Sequence, residues 1–258
     1  MPGLAHSNWS NTSVRCGAKG VWEGKPDCII PGFIEFSESE YEFTIGKNGS
    51  FRCDVTRYPN WQHLHIMKSS GDTILAIFDA YRNTTGNYID VRRFHETRYM
   101  LLYNYDDSIV DSLIIDVEFI NVKCDAEDTY FCQLVVGNYA DIRVANASVY
   151  VRANSSKPKI MVPEKLFVTR DYVVTCSGNV GRNRSGKFGQ IALESRENGS
   201  GNFTILARGN YTDCDGAALM TVNLTAIRYY KTREFRCKIE DPAGNTIYSE
   251  VVNRTLID

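Results

Sequence analysis

Hydrophobic and polar residues alternate with a period of two in several short stretches of the chain. The first half holds four such segments, at residues 49–55, 113–122, 129–136 and 146–153. Alternation over this length is typical of strands that place one face in a core and the other in solvent. The pattern therefore predicts an all-β structure.

The second half repeats the arrangement of the first. Alternating segments return at residues 172–178, 220–227 and 234–239, after a polar linker that contains two prolines. An internal repeat without gaps indicates two homologous domains, and 258 residues is a suitable length for two. Five positions recur 105 residues later: Val117, Phe119, Val122, Tyr130 and Cys132 correspond to Val222, Leu224, Ile227, Phe235 and Cys237.

Tyr130 stands two residues before Cys132, and Cys53 lies upstream in another alternating segment. This arrangement resembles the immunoglobulin sandwich, in which such cysteines join the two sheets and the tyrosine hydroxyl bonds back to the preceding turn. The resemblance implies a disulfide between Cys53 and Cys132 and an equivalent one between Cys176 and Cys237. It predicts two tandem antiparallel immunoglobulin-like β-sandwiches, preceded by a small disulfide-closed N-terminal segment.

In the second copy, Phe235 replaces the tyrosine and should weaken that corner. In the first copy, the long interval between the paired cysteines leaves room for an added hairpin, as in variable-type domains. Trp61 follows Cys53 by only eight residues, so we place Ile66 in the core and Trp61 near the preceding turn. The alternative is a shortened turn with Trp61 as the core ring.

The N-terminal cysteines, Cys16 and Cys28, bracket a Gly-x-Trp at Gly20 and Trp22, and Pro26 forms a Pro-x-Cys with Cys28. This spacing resembles the last third of a sushi module, and the alternative is a glycosylated lead with one local disulfide. The first residues lack the features of a signal peptide, so we expect the true N-terminus to lie upstream. The predicted domains are residues 1–29, 30–152 and 158–256.

Cys124 and Cys214 remain after these pairings. Each falls at the end of its domain that faces the other domain, so we hypothesise an inter-domain disulfide between them. An intermolecular bridge or two free thiols are the alternatives.

Twelve Asn-x-Ser/Thr sequons indicate passage through the secretory pathway and an extracellular location, either secreted or at the outer side of the plasma membrane. A net charge of −2 gives no basic field for nucleic acid, and no apolar run has the length of a membrane span. Domain 2 carries more sequons than domain 1, which makes the barer domain 1 the expected contact region. The sequons begin at Asn8, Asn11, Asn48, Asn83, Asn146, Asn154, Asn183, Asn198, Asn202, Asn210, Asn223 and Asn253.

Nothing in the sequence indicates catalysis or a cofactor. His63 and His65 share a strand face but lack further ligands, and Asp106, Asp107 and Asp111 only loosely match a calcium loop. We therefore expect no enzyme, no cofactor and no metal site.

Recognition is the function class that remains. Arg57, Tyr58, Trp61 and His63 cluster around one predicted turn of domain 1, and Tyr139 falls in a turn at the same end. Aromatic residues and arginine are enriched in interface anchors, although an aromatic turn can also pack on its own domain. The expected partner is a protein or a glycan on an extracellular surface.

The sequence leaves three functions open. The first is an innate-immune-type recognition module, since sushi-like and immunoglobulin-like segments resemble the front part of molluscan fibrinogen-related proteins. The second is an adhesion or receptor ectodomain fragment, and the third is a glycosylated spacer. Ligand identity and oligomeric state stay open.

Overall fold

The structure is a computed structural model. It describes residues 32–58, 61–70, 73–82, 89–93, 99–104, 113–137, 141–197, 201–211, 213–226 and 231–257, with backbone alone for residues 70–104. The predicted N-terminal segment, with Cys16 and Cys28, lies outside these residues.

Domain 1 is a sandwich of two sheets. Its back sheet has the order β1 (Phe33–Phe36), β3 (Gly49–Thr56), β8 (Leu113–Phe119) and β7 (Tyr99–Asn104). Its front sheet has the order β2 (Glu40–Thr44), β10 (Asp141–Arg152), β9 (Asp128–Val136), β4 (Trp61–Ser70), β5 (Thr73–Arg82) and β6 (Ile89–Arg93). The extra strands β5 and β6 extend the front sheet beyond β4, which is the added hairpin of a variable-type domain.

Domain 2 is a smaller sandwich. Its back sheet contains β11 (Lys159–Met161), β13 (Asp171–Asn179) and β16 (Ala217–Thr225) in that order. Its front sheet has the order β12 (Leu166–Phe167), β19 (Val252–Ile257), β17 (Thr232–Glu240), β14 (Gln190–Glu197) and β15 (Thr204–Gly209), and β18 (Thr246–Tyr248) pairs with β17. The all-β tandem immunoglobulin-like fold predicted from the sequence is confirmed.

One element of that prediction needs correction, because the sheets are not purely antiparallel. In domain 1, β2 pairs in parallel with β10, and in domain 2, β12 pairs in parallel with β19. An early strand that crosses to the front sheet runs alongside the last strand of the domain in the same direction. The period of two cannot reveal this, because it is the same in parallel and antiparallel half-buried strands.

Tyr130 anchors the core of domain 1. Its side chain is fully buried, and its hydroxyl donates a hydrogen bond of 3.0 Å to the carbonyl oxygen of Ala126, in a 3₁₀ turn at Cys124–Ala126. Cys53 and Cys132 are joined between the sheets, as are Cys176 and Cys237 in domain 2. Phe235 is buried at the equivalent corner, where it meets Tyr172 edge-on without a hydroxyl of its own.

The placement of Ile66 in the core agrees with the structure, since Ile66 is fully buried opposite Cys132. Trp61 is also buried, with only 1% of its surface exposed, as the first residue of β4 opposite Val136. A bulge between Trp61 and His63 shifts the register of β4 against β9 by one residue. The bulge lets a ring only eight residues after Cys53 turn into the core.

Candidate functional site

The outward side of the domain 1 front sheet presents three rows of side chains across β4, β9 and β10. The strand register places His63, Val135 and Ile142 in the first row, in which Val135 is buried, and His65, Gln133 and Val144 in the second. The third row, farther from the loop end, holds Met67, Phe131 and Asn146. We call the first two rows the front face.

The β10 side of the front face is apolar and open to solvent. Ile142 is 51% exposed and Val144 is 52% exposed, although both belong to a strand whose other half contributes to the core. Neighbouring strands lie about 4.8 Å apart, so one row spans about 10 Å from β4 to β10. The result is a flat surface with two exposed aliphatic side chains at its margin.

Two stacked histidines form the opposite margin. The rings of His63 and His65 are 5.6 Å apart between centroids, with planes inclined by 3°. Both side chains are partly buried. Among the residues that the structure describes, no group of three or more histidine, cysteine, aspartate or glutamate side chains is placed to hold a metal ion.

The residues expected to form the contact surface differ in exposure and position. Arg57 is exposed and has a positive φ of 59°, whereas Tyr58 is partly buried and packs against the domain core. Trp61 was wrongly expected in this surface, because its ring is buried. His63 belongs to the front face, and Tyr139 lies outside the described residues.

Sequence reasoning missed Ile142 and Val144. The last strand of domain 1 was expected from residue 146, but β10 begins at Asp141. Ile142 and Val144 do alternate with polar residues, but in the opposite phase to Val149 and Val151, so the two parts of β10 do not form one continuous hydrophobic pattern.

A disulfide bond joins the two domains, and we call the region around it, where the domains meet, the elbow. Cys124 in the 3₁₀ turn of domain 1 is bonded to Cys214 before β16 of domain 2. Cys214 is exposed and Cys124 is partly exposed, whereas the four cysteines of the intra-domain bonds are fully buried. Backbone hydrogen bonds in both directions between Ala153 and Arg182, each 2.9 Å, add a second connection.

An ion pair between Glu127 and Arg182 crosses the elbow. Two guanidinium nitrogens of Arg182 donate to the two carboxylate oxygens of Glu127 at 2.6 and 2.8 Å. Arg182 also donates to the carbonyl oxygen of Val151 at 2.8 Å, and the Val151 N–H donates to Glu127 at 2.9 Å. This closed network fixes the orientation of both side chains.

The network also controls the protonation of Glu127. Burial, the largest single influence, acts to raise the pKa of Glu127. The hydrogen bonds from Arg182 and Val151, with the positive charge of Arg182, outweigh burial and leave the pKa lowered.

A second contact closes the outer side of the elbow. Arg184 pairs with Glu40 of β2, and its guanidinium lies over the ring of Tyr150 at 4.4 Å from the centroid. Sequence reasoning missed both ion pairs, because partners separated by 55 and 144 residues leave no local pattern.

Seven of the twelve sequon asparagines are exposed in the described residues: Asn48, Asn146, Asn154, Asn202, Asn210, Asn223 and Asn253. Asn183 is partly buried, and its side-chain oxygen accepts hydrogen bonds from Ser185 and Lys187. The remaining sequons lie outside the described residues.

No protein-family model matches the chain. A search of curated proteins also returned no match. Among solved structures, bovine butyrophilin is similar over 88% of this chain and 100% of its own, at 14% identity and a TM-score of 0.45. A marsupial T cell receptor is similar over 86% of this chain and 100% of its own, at 10% identity and a TM-score of 0.36. These are distant likenesses, so the site is interpreted from its own geometry.

No helix within the described residues is long and apolar enough to cross a membrane.

Proposed function

We propose that the chain is an extracellular recognition ectodomain that binds a protein partner through the front face of domain 1. One observation carries the proposal, namely the exposure of Ile142 and Val144 side by side on a flat sheet surface. Aliphatic side chains that project from a sheet contribute nothing to its core and favour contact with another protein. The partly buried histidines and Gln133 supply polar groups beside them.

The elbow supports the same interpretation. A recognition domain that is fixed on its neighbour loses less orientational freedom when it binds than a freely hinged one. The disulfide between Cys124 and Cys214 and the ion pair between Glu127 and Arg182 supply such a fixed base.

The position of Asn146 limits the surface. Asn146 lies four residues beyond Ile142 on the same side of β10, which is about 13 Å along a strand. A glycan at Asn146 would border the front face on its lower side. The partner therefore approaches from the loop end, where Arg57 is also exposed.

The finer assignment within this class is a secreted, innate-immune-type recognition protein. The alternative is an adhesion or receptor ectodomain that binds a second copy of the chain. Sedimentation of the purified chain separates the two, since homophilic adhesion requires concentration-dependent association of the chain with itself.

The test is a multimerised chain screened against arrayed extracellular domains. Each hit is measured again with the double variant Ile142→Lys and Val144→Lys, and with Leu219→Lys as the matched control. Leu219 is 60% exposed but lies in domain 2, so its replacement places a lysine away from the front face. We expect the double variant to lose at least about tenfold in affinity and the control to bind normally. A partner that binds the double variant as tightly as the parent chain would show that recognition lies outside the front face.

A further inference from the structure

Strand β16 has an open edge that the sequence does not protect with charge. In the three-stranded back sheet of domain 2 it is the last strand, and among the described strands it pairs only with β13. Its sequence, AALMTVNLT, contains no charged residue and no proline. An uncharged edge strand of this kind is a template for adding a strand from another molecule, and proteins usually guard it with lysine, proline or a bulge.

Asn223 occupies an outward position on this edge. Its side chain is exposed and makes no hydrogen bond within the described part of the chain. Its direct partner across the ladder is Val173, which is 44% exposed on the same outer surface. Cβ atoms of directly paired residues lie about 5 Å apart, so a group attached to Asn223 begins beside Val173.

The residue that completes the sequon is held in place by the fold. Thr225 donates a hydrogen bond of 2.6 Å from its hydroxyl to the carboxylate of Asp171. Asn223, Leu224 and Thr225 form an Asn-x-Thr sequon, and the outward direction of Asn223 leaves room for a bulky substituent.

Two other sequons occupy equivalent edges. Strand β10 pairs with β2 only from Ser148 onward, so Asn146 lies in the part of β10 that forms no ladder with a described strand on that side. Strand β19 pairs with β12 only at its last two residues, and Asn253 lies before them. All three sequons that fall within described strands therefore lie where one edge of the strand has no ladder partner among the described strands.

We propose that N-linked glycans at Asn223, Asn146 and Asn253 close the open sheet edges against strand addition, and that the glycan at Asn223 also covers Val173. In each case the side-chain nitrogen Nδ2 bonds to the anomeric carbon of a lipid-diphosphate-linked oligosaccharide. The lipid diphosphate leaves with the bonding electron pair, and the amide nitrogen loses one proton. The attached sugars prevent a second backbone from approaching within the 4.8 Å that a ladder requires.

Of the three edges, that of β16 depends most on its glycan for protection against strand addition. β10 and β19 each contain at least one arginine, which gives their edges some electrostatic protection, whereas β16 has none. This inference does not rest on the proposed recognition function.

The test compares single variants secreted from a eukaryotic host. Asn223→Gln removes the glycan without adding charge, and Asn223→Lys removes it but places a charge on the edge. Asn154→Gln is the matched control, because Asn154 is equally exposed but follows β10 in the linker. Site occupancy is measured by glycopeptide mass spectrometry, and association by light scattering during incubation below the melting temperature.

We expect Asn223 to be occupied in the parent chain. Asn223→Gln should form aggregates at least about fivefold faster than the parent, whereas Asn223→Lys and Asn154→Gln should resemble the parent. An unoccupied Asn223 would overturn the proposal. Equal aggregation of Asn223→Gln and Asn154→Gln would show a general effect of glycan loss and would also overturn it, as would failure of Asn223→Lys to restore solubility.

Discussion

Replacing Cys124 and Cys214 together by serine should destabilise domain 2. While domain 1 is folded, Ala153 is fixed at its C-terminal end, and the disulfide to Cys124 holds Cys214 at the same end of the domain. About 60 residues lie between these two anchors. When domain 2 unfolds, this segment becomes a closed loop, and the loop-entropy estimate for that length is about 4 kcal/mol.

The assay is differential scanning calorimetry of the oxidised parent and the double variant. For a domain of about 100 residues, 4 kcal/mol corresponds to a decrease in Tm of more than about 10 °C. The transition of domain 1 should move somewhat less, because unfolding domain 1 leaves a shorter closed loop of about 30 residues, from Cys124 to Ala153, for which the same estimate is about 3.6 kcal/mol. Glu127→Gln is the control, since it loosens the elbow without breaking the covalent link. If the transition of domain 2 moved by less than about 2 °C in the double variant, the loop argument would be refuted.

Three further outcomes follow from single side chains. Tyr130→Phe removes the buried hydrogen bond to Ala126 and should lower the free energy of unfolding of domain 1 by about 1–3 kcal/mol, measured in urea; an unchanged midpoint would contradict this role. Glu127→Gln should cost about 1–3 kcal/mol at pH 7, discounted for the partial exposure of the carboxylate. Because the folded pKa of Glu127 is lowered, its contribution is complete above the ordinary value of 4.5 and is lost as the pH falls through the folded pKa, so parent and variant should converge in urea titrations toward pH 3; a constant difference would exclude this linkage. Gly189→Ala would place a Cβ 2.3 Å from two backbone carbonyl oxygens and should prevent secretion of folded chain, while secretion at the parent level would show that the backbone can move there.

The central strands of each domain could be predicted from the sequence because their signals are local. Phe51, Cys53 and Val55 alternate with polar residues, and the strand that contains them shows the same alternation of burial. The placement of Cys124 and Cys214 also followed from local position, since each lies next to a strand that the alternation had already located.

The candidate site was less accessible from the sequence, because it depends on pairing between distant strands. The rows of the front face require the register of β4, β9 and β10, and a bulge beside Trp61 shifts that register by one residue. Spacing alone therefore placed Trp61 near the preceding turn, whereas the bulge turns it inward. The pair of Glu127 and Arg182 was inaccessible for a related reason, since it forms only after both domains have folded and docked.

The three disulfides of the described residues also determine how the chain would transmit force. Their loops overlap in sequence, so each bond begins inside the loop that the previous bond closes. Under tension, the shortest covalent path from Cys53 to Cys237 passes through the Cys53–Cys132 and Cys124–Cys214 bonds and includes only residues 124–132 and 214–237. At about 3.5 Å per extended residue, this path lengthens to roughly 110 Å, whereas the reduced chain between the same cysteines would reach roughly 640 Å. The oxidised chain between these cysteines is thus a tether of limited extension, even while its sandwiches are pulled apart.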